Sequence, residues 1–179
     1  MSNPTLLTIS GSLRKGSYNR MLLTHAAAAF GEATVVDADL NLPLYDGDVE
    51  ANEGIPAAVQ TLVDQITQAD AIVIAAPEYN KSISGVLKNA IDWVSRVPDG
   101  VLAQKPVVVL SAAAGRTGGE TAQFVTMQVL LQLQAHIIPG PAVLVAAAMN
   151  EFDAEGNLPN EHYQKAIAGK MQALRAAIE

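Results

Sequence analysis

The sequence predicts an α/β fold in which a five-stranded parallel sheet is covered by helices on both faces. Two observations carry that prediction. Five short β-branched runs alternate strictly with five segments of helical spacing, the pattern of successive strand–helix–strand units. The runs are also apolar without in–out alternation, as buried parallel strands require.

The elements follow in order. The first strand is Thr5–Ser10, and a helix starts near Ser17 after a small, polar and basic loop. The second strand is Ala33–Asp37, followed by a long connection, "DLNLPLYDGDVEANEG", from Asp39 to Gly54. Loops of that length are often functional or interfacial, and otherwise packed surface segments. Ile55, Val59, Leu62, Ile66 and Ala69 then step 4-3-4-3 along one helix face, with Pro56 suited to the first turn. The third strand, Ala71–Ala75, leads to a helix on which Ile83, Leu87, Ala90 and Val94 step 4-3-4. The fourth strand, Val107–Ser111, precedes a helix from about Gly119 to Ala135 that carries Phe124, Met127, Leu130, Leu131 and Leu133. The fifth strand is Ala142–Ala146, and Tyr163, Ile167, Met171, Leu174 and Ile178 step 4-4-3-4 along the last helix. No internal repeat or linker interrupts residues 1–179, which read as a single domain.

Composition excludes several functions. Half of the 179 residues are hydrophobic and 16% are charged, which suits a folded core and not a disordered chain. Eleven basic residues against eighteen acidic ones give a net charge of -7, the wrong field for coating nucleic acid. The absence of cysteine removes disulfides, thiolate zinc sites, iron–sulfur clusters and cysteine nucleophiles. "MSNPTLLTIS" lacks the basic start and apolar core of a signal peptide, and no apolar run reaches the about 18 residues of a membrane helix. A soluble, cytoplasmic protein without membrane partners is expected. His25, His136 and His162 lie far apart with no ligand spacing, and Asp46-Gly47-Asp48 reads as a turn without EF-hand spacing, so no metal site is expected. GxSxG is missing, which argues against an α/β-hydrolase.

An open α/β sheet binds ligands outside the carboxyl ends of its strands. The loops there are "GSLRKGSYN", "APEYNKSISG" and "SAAAGRTGGE". The first nearly matches a nucleoside-triphosphate loop, but Lys does not follow its second glycine, and GxGxxG is absent too. What remains is a generic anion site. Ser12, Ser17 and Asn19 are donors, Arg14 is a clamp, and the helix start supplies free N–H groups. The other reading is an ordinary turn with Ser17 as N-cap. In the second loop Pro77 and Gly85 constrain the backbone, while Glu78, Tyr79 and Asn80 offer a flat aromatic and hydrogen-bonding groups. The third loop is almost free of side chains, so a planar ring can approach its backbone.

In this order and at these spacings, "GSLRKGSYN", "PEYNKSISGVLKNAIDW" and "GRTGG" resemble the NAD(P)H-dependent FMN reductase family, which includes quinone- and chromate-reducing flavoproteins. The likeness extends to "LPLYDGD" and "FDAEGNLPNEHYQKAI". It implies a flavodoxin-like three-layer sandwich with strand order 2-1-3-4-5 and one non-covalent FMN, making the chain an FMN-binding domain. By resemblance, Ser12, Arg14, Ser17, Tyr18 and Asn19 hold the phosphate end; Pro77, Glu78, Tyr79 and Asn80 line the ring; Ser111, Gly115, Gly118 and Gly119 form its other side. Two departures stand out. Many relatives have Pro at Ser84, so a more mobile loop is expected here, and many have polar residues at Ala112 to Ala114, so weaker hydrogen bonding to the ring is expected. Arg116 would contact substrate or a nicotinamide phosphate, or else form a subunit salt bridge.

With FMN carrying the chemistry, NADPH or NADH would deliver a hydride. A quinone, azo compound, metal oxyanion or free flavin would then take two electrons in a ping-pong sequence, with no catalytic side chain. The alternative is a flavodoxin-type one-electron carrier. Such carriers bury the flavin between aromatics, whereas the ring-side loops here supply only Tyr79. Family members are commonly dimers or tetramers. Val86, Trp93 and Val97 extend the apolar face of their helix, and Phe124–Leu133 is likewise broad, so a homodimer or homotetramer is expected.

Overall fold

The computed structural model describes residues 3–98 and 100–179. In chain order its elements begin with β1 (Thr5–Ser10), α1 (Tyr18–Phe30), β2 (Thr34–Ala38), α2 (Gly47–Glu53), α3 (Ala57–Gln68) and β3 (Ala71–Ala75). A hairpin of β4 (Glu78–Tyr79) and β5 (Ser82–Ile83) leads into α4 (Gly85–Val94), followed by β6 (Pro106–Ala112) and α5 (Glu120–Gln132). The chain ends with β7 (His136–Ile137), β8 (Leu144–Val145), α6 (Ala148–Glu151) and α7 (Glu161–Ala176).

The main sheet runs β2-β1-β3-β6-β7, with β8 also paired to β6, and the pairings are parallel. The α/β class is as the sequence predicts, but the sheet has six strands, not five. The expected fifth strand, Ala142–Ala146, is present only as the two-residue β8, and β7 is an additional strand where none was expected. β7 pairs with the start of β6 and β8 with its end. Pro139-Gly140-Pro141 separates them; proline has no N–H to give a ladder, and Gly140 sits at φ 120.

The central strands β1, β3 and β6 feed two cores. Leu7, Ile9, Ile72, Ile74, Val107 and Val109 face α3, α4 and α5. Leu6, Val73, Val108 and Leu110 face α1 and α7. Burial on both sides is what makes these strands continuously apolar. On the second side α1 packs over β1, β3 and β6. Beside α1, against β1 and β2, lies a 370 Å³ groove lined by Thr8, Arg20, Thr24, Val35 and Asp37.

Two further expectations change. Ile83 belongs to β5, and the helix begins only at Gly85, with Ser84 as its N-cap. The long connection contains α2, started by Asp46, whose side chain accepts from the Asp48 N–H at 2.9 Å. That connection is docked on α4. Trp93 is fully buried and donates from Nε1 to the Pro43 carbonyl at 2.8 Å. Asn89 holds the same carbonyl at 2.9 Å, and Tyr45 meets the Trp93 ring edge-on at 5.0 Å. Trp93 is therefore packing inside the chain and adds nothing to an outer apolar face. Among the described residues, no helix is long and apolar enough to cross a membrane.

Trp93→Phe keeps most of this packing but removes one of the two donors to the Pro43 carbonyl. W93F should lower the unfolding free energy by about 1 kcal/mol in a urea titration. K165A, which removes an exposed ion pair, should shift it by less than about 0.5 kcal/mol.

Candidate active site

At the carboxyl edge of the sheet three loops meet, following β1, β3 and β6. Their approach is close because Gly11 has no side chain. The Gly11 N–H donates to the Ala75 carbonyl at 2.9 Å, and a Cβ at Gly11 would lie 2.7 Å from Pro77 Cδ. Pro77 itself is buried.

Buried side chains tie the loops to one another. Asn19, at the start of α1, donates to the Ala112 carbonyl at 2.8 Å and accepts from the Ala112 N–H at 3.0 Å. Ser84 donates to the Gly11 carbonyl at 2.7 Å and accepts from the Leu87 N–H at 3.2 Å. Ser111 donates to the Ala76 carbonyl at 2.6 Å. Glu78 Oε2 accepts from the N–H groups of Thr121 at 3.0 Å and Ala122 at 3.4 Å, capping α5 from outside that helix. The expected looseness at Ser84 is not found: with 1% of its surface exposed, the residue clips the first loop to the second. Asn19, Glu78 and Ser111, assigned to ligand by resemblance, have side chains engaged with protein backbone.

The first loop is both an N-cap and a basic surface. Ser17 accepts from the Asn19 N–H at 3.2 Å, so the N-cap reading of this turn holds. The buried Ser12 hydroxyl accepts from the Arg14 N–H at 3.4 Å. Leu13 to Gly16 are exposed, and Arg14 and Lys15 form no ion pair among the described residues. The first turn of α1 holds no acidic residue, so no carboxylate there neutralises its positive end. Tyr18 is half-buried and stacks on Phe152 with ring centroids 5.7 Å apart.

The second loop is a hairpin. Asn80 and Lys81 turn it with φ values of 51 and 62, both left-handed, as a type I′ connection requires. Glycine normally takes the second of these positions, and lysine there stores local strain. Lys81 Nζ lies 3.1 Å from Glu78 Oε1. Burial pulls the Glu78 carboxyl upward, but Lys81 and the N–H groups of Ala122 and Thr121 outweigh it, leaving its pKa below the ordinary glutamate range. The Tyr79 side chain is half-exposed at the tip.

The third loop is fixed by its surroundings. The Gly115 carbonyl accepts from the Ala147 N–H at 3.1 Å, and the Ala113 carbonyl accepts from the Ala148 N–H at 3.1 Å. Gly118 has φ 63 and would place a Cβ 2.7 Å from the Leu144 backbone; Gly119 has φ 90 and would place one 2.0 Å from Ser111 Oγ. Between this loop and the hairpin lies a cavity of about 500 Å³, lined by Glu78, Asn80, Lys81, Ala113, Arg116 and Thr117 among others. Its size is ordinary for a small-molecule site.

The edge thus offers a basic, hydroxyl-bearing helix start and, beside it, a polar cavity with a near-bare backbone wall. That chemistry fits a ligand with an anionic tip and a flat, hydrogen-bonding ring. The sequence reading missed Ser84 as a tie and Lys81 and Thr117 as lining. Serine at a helix start followed by Leu87 was the available signal for the first; the others had none. His25 bonds the Gly156 carbonyl at 3.0 Å, and no cluster of metal-ligating side chains exists among the described residues.

Residues 4–150 match the family described as NADPH-dependent FMN reductase. An NAD(P)H-dependent FMN reductase of Pseudomonas aeruginosa is 44% identical over 172 residues, covering 95% of this chain and 92% of that one. A quinone reductase of Escherichia coli is 39% identical over 178 residues, covering 97% and 95%. Among solved structures, FerB, a flavoenzyme NAD(P)H:(acceptor) oxidoreductase from Paracoccus denitrificans, superposes with a TM-score of 0.86 at 30% identity, covering 98% and 97%. The flavodoxin-like fold is common to both chains.

Ser84→Ala removes the cap of α4 and leaves the Gly11 carbonyl without its partner. S84A should lower the unfolding free energy by about 2 kcal/mol in thermal melts, and S84T should recover most of it.

Proposed function

The chain belongs to the NADPH-dependent FMN reductase family, and from that premise we propose that it passes two electrons from NADPH or NADH to a small-molecule acceptor, quinones foremost, using one non-covalent FMN. The observation that carries this reading is the pairing, on mutually tied loops, of an acid-free basic helix start with a ring-sized polar cavity. FMN bound there would supply the two-electron redox chemistry linking NADPH or NADH to a quinone, azo compound, metal oxyanion or free flavin, in ping-pong order.

The chain's own residues bind and orient. Ser12, Arg14, Ser17 and the first N–H groups of α1 hold the phosphate, with Tyr18 and Asn19 fixing the helix start beneath it. Pro77, Glu78, Tyr79 and Asn80 border one side of the ring. Ser111, Gly115, Gly118 and Gly119 keep the backbone close on the other. No side chain is assigned a proton-transfer role. Tyr79 is the one aromatic at the ring-side loops, and its half-exposed ring leaves room for a second substrate, which favours a reductase over a flavodoxin-type carrier.

Residues 1–179 act on this reading as one FMN-binding domain in the cytoplasm. The chain is also a homodimer or homotetramer. Phe124 and Leu131 lie on α5 with 57% and 61% of their surfaces exposed, seven positions apart on one face. A helix seldom leaves two such side chains bare.

FMN titration tests the reading. The protein should turn yellow with FMN, bleach with NADPH or NADH without oxygen, and regain colour with a quinone. A protein that leaves FMN fluorescence and absorbance unchanged contradicts it. Arg14→Ala should weaken FMN by about tenfold and leave riboflavin, which has no phosphate, unaffected. Light scattering at micromolar concentration should give a dimer or tetramer; a monomer removes the assembly proposal.

A further inference from the structure

We infer that the cavity between the Asn80–Lys81 turn and the third loop selects anionic partners, and that Arg116 is the residue that reads the charge. The inference rests on the proposed two-electron activity at this edge and names the substrate class its cavity prefers.

The local charge runs against the molecule's. The chain carries a net charge of -7, yet the cavity is lined by the cations Lys81 and Arg116 against a single carboxylate, Glu78. That carboxylate is already matched. One oxygen pairs with Lys81 at 3.1 Å, and the other takes two N–H groups at the positive end of α5. Arg116 forms no ion pair among the described residues, so its charge is the uncompensated one.

Its position is also built. The carbonyls of Ala113 and Gly115 are held by the N–H groups of Ala148 and Ala147, and Gly118 is locked against Leu144. A long guanidinium therefore projects from a fixed backbone, among Ala113, Ala114 and Gly115, whose side chains offer no competing partner. Guanidinium presents a planar fork of donors that matches the oxygens of phosphate, sulfonate or carboxylate. A neutral quinone gains nothing from it. The shared chemistry is an oxyanion, supplied either by the ribose 2′-phosphate of NADPH or by an acidic acceptor.

The test compares the FMN-loaded wild type with R116A and R116K in two arms. One arm sets NADPH against NADH; the other sets a sulfonated naphthoquinone against its unsulfonated parent. The wild type should favour the more anionic member in at least one arm. R116A should raise the KM of that member roughly five- to tenfold relative to its less charged counterpart, with R116K keeping most of the preference. A shift in the first arm assigns the oxyanion to the dinucleotide, and a shift in the second assigns it to the acceptor. Calorimetry with naphthalene sulfonate and with adenosine 2′-monophosphate, on the protein as purified, reads the same site without turnover. At least one should bind more weakly to R116A and at raised salt. Failure of the two-electron reading would appear separately, as a wild type that does not take FMN. Equal effects on the more and the less charged member of each pair overturn the inference. So does an altered oligomeric state in R116A with both ratios unmoved, which would make Arg116 a subunit contact.

Discussion

The Asn19 side-chain amide grips the backbone of Ala112 at two points, donating at 2.8 Å and accepting at 3.0 Å, with 3% of the residue exposed. It joins the first turn of α1 to the end of β6, across the intervening β3. Without it, a buried carbonyl and a buried N–H would both lack partners, a penalty of about 1–3 kcal/mol for each group. The grip fixes where the first loop ends and the bare backbone wall begins. Ser84, Ser111 and Glu78 then close the remaining gaps between neighbouring loops. The site is thus a set of loops whose mutual distances are set by buried hydrogen bonds, leaving the exposed residues between them free for ligand.

Small residues complete that arrangement. Gly11 lets β1 approach Pro77, and Gly118 and Gly119 let the third loop pass Leu144 and Ser111. Left-handed non-glycine residues remain at Asn80 and Lys81, at the rim of the cavity, and at Ala147, which holds the third loop. Buried ties below and a left-handed turn above frame the pocket.

Much of this was legible in the sequence, for identifiable reasons. β1, β3 and β6 are buried on both faces and therefore read as apolar runs. β7 did not, because its two residues are too few to carry a pattern, and β8 is shorter than the apolar run Ala142–Ala146 that contains it. The hairpin escaped because its turn is Asn-Lys where Asn-Gly would have signalled it, and Ile83 then fell by accident at helical spacing from Leu87. α2 has no buried residue and so no apolar face to read, although Asp46 and the acids after it marked its start. At the site, the loops followed from the strand ends, but the division between ties and ligand-facing groups did not. Asn19 acts on a residue 93 positions away and Ser111 on one 35 positions away, and no local pattern encodes such partners. Trp93 resembled an interface residue only because the connection that covers it arrives from Pro43.

The central claim is that one ligand is held by all three loops at the carboxyl edge. Amide hydrogen exchange with and without FMN tests it most directly, because it reports the loops individually. The account predicts slowed exchange over residues 11–19, 78–82 and 113–119 together, with the groove between α1 and β2 unchanged. Protection confined to that groove, around Arg20 and Asp37, or absent from all three loops, would contradict it.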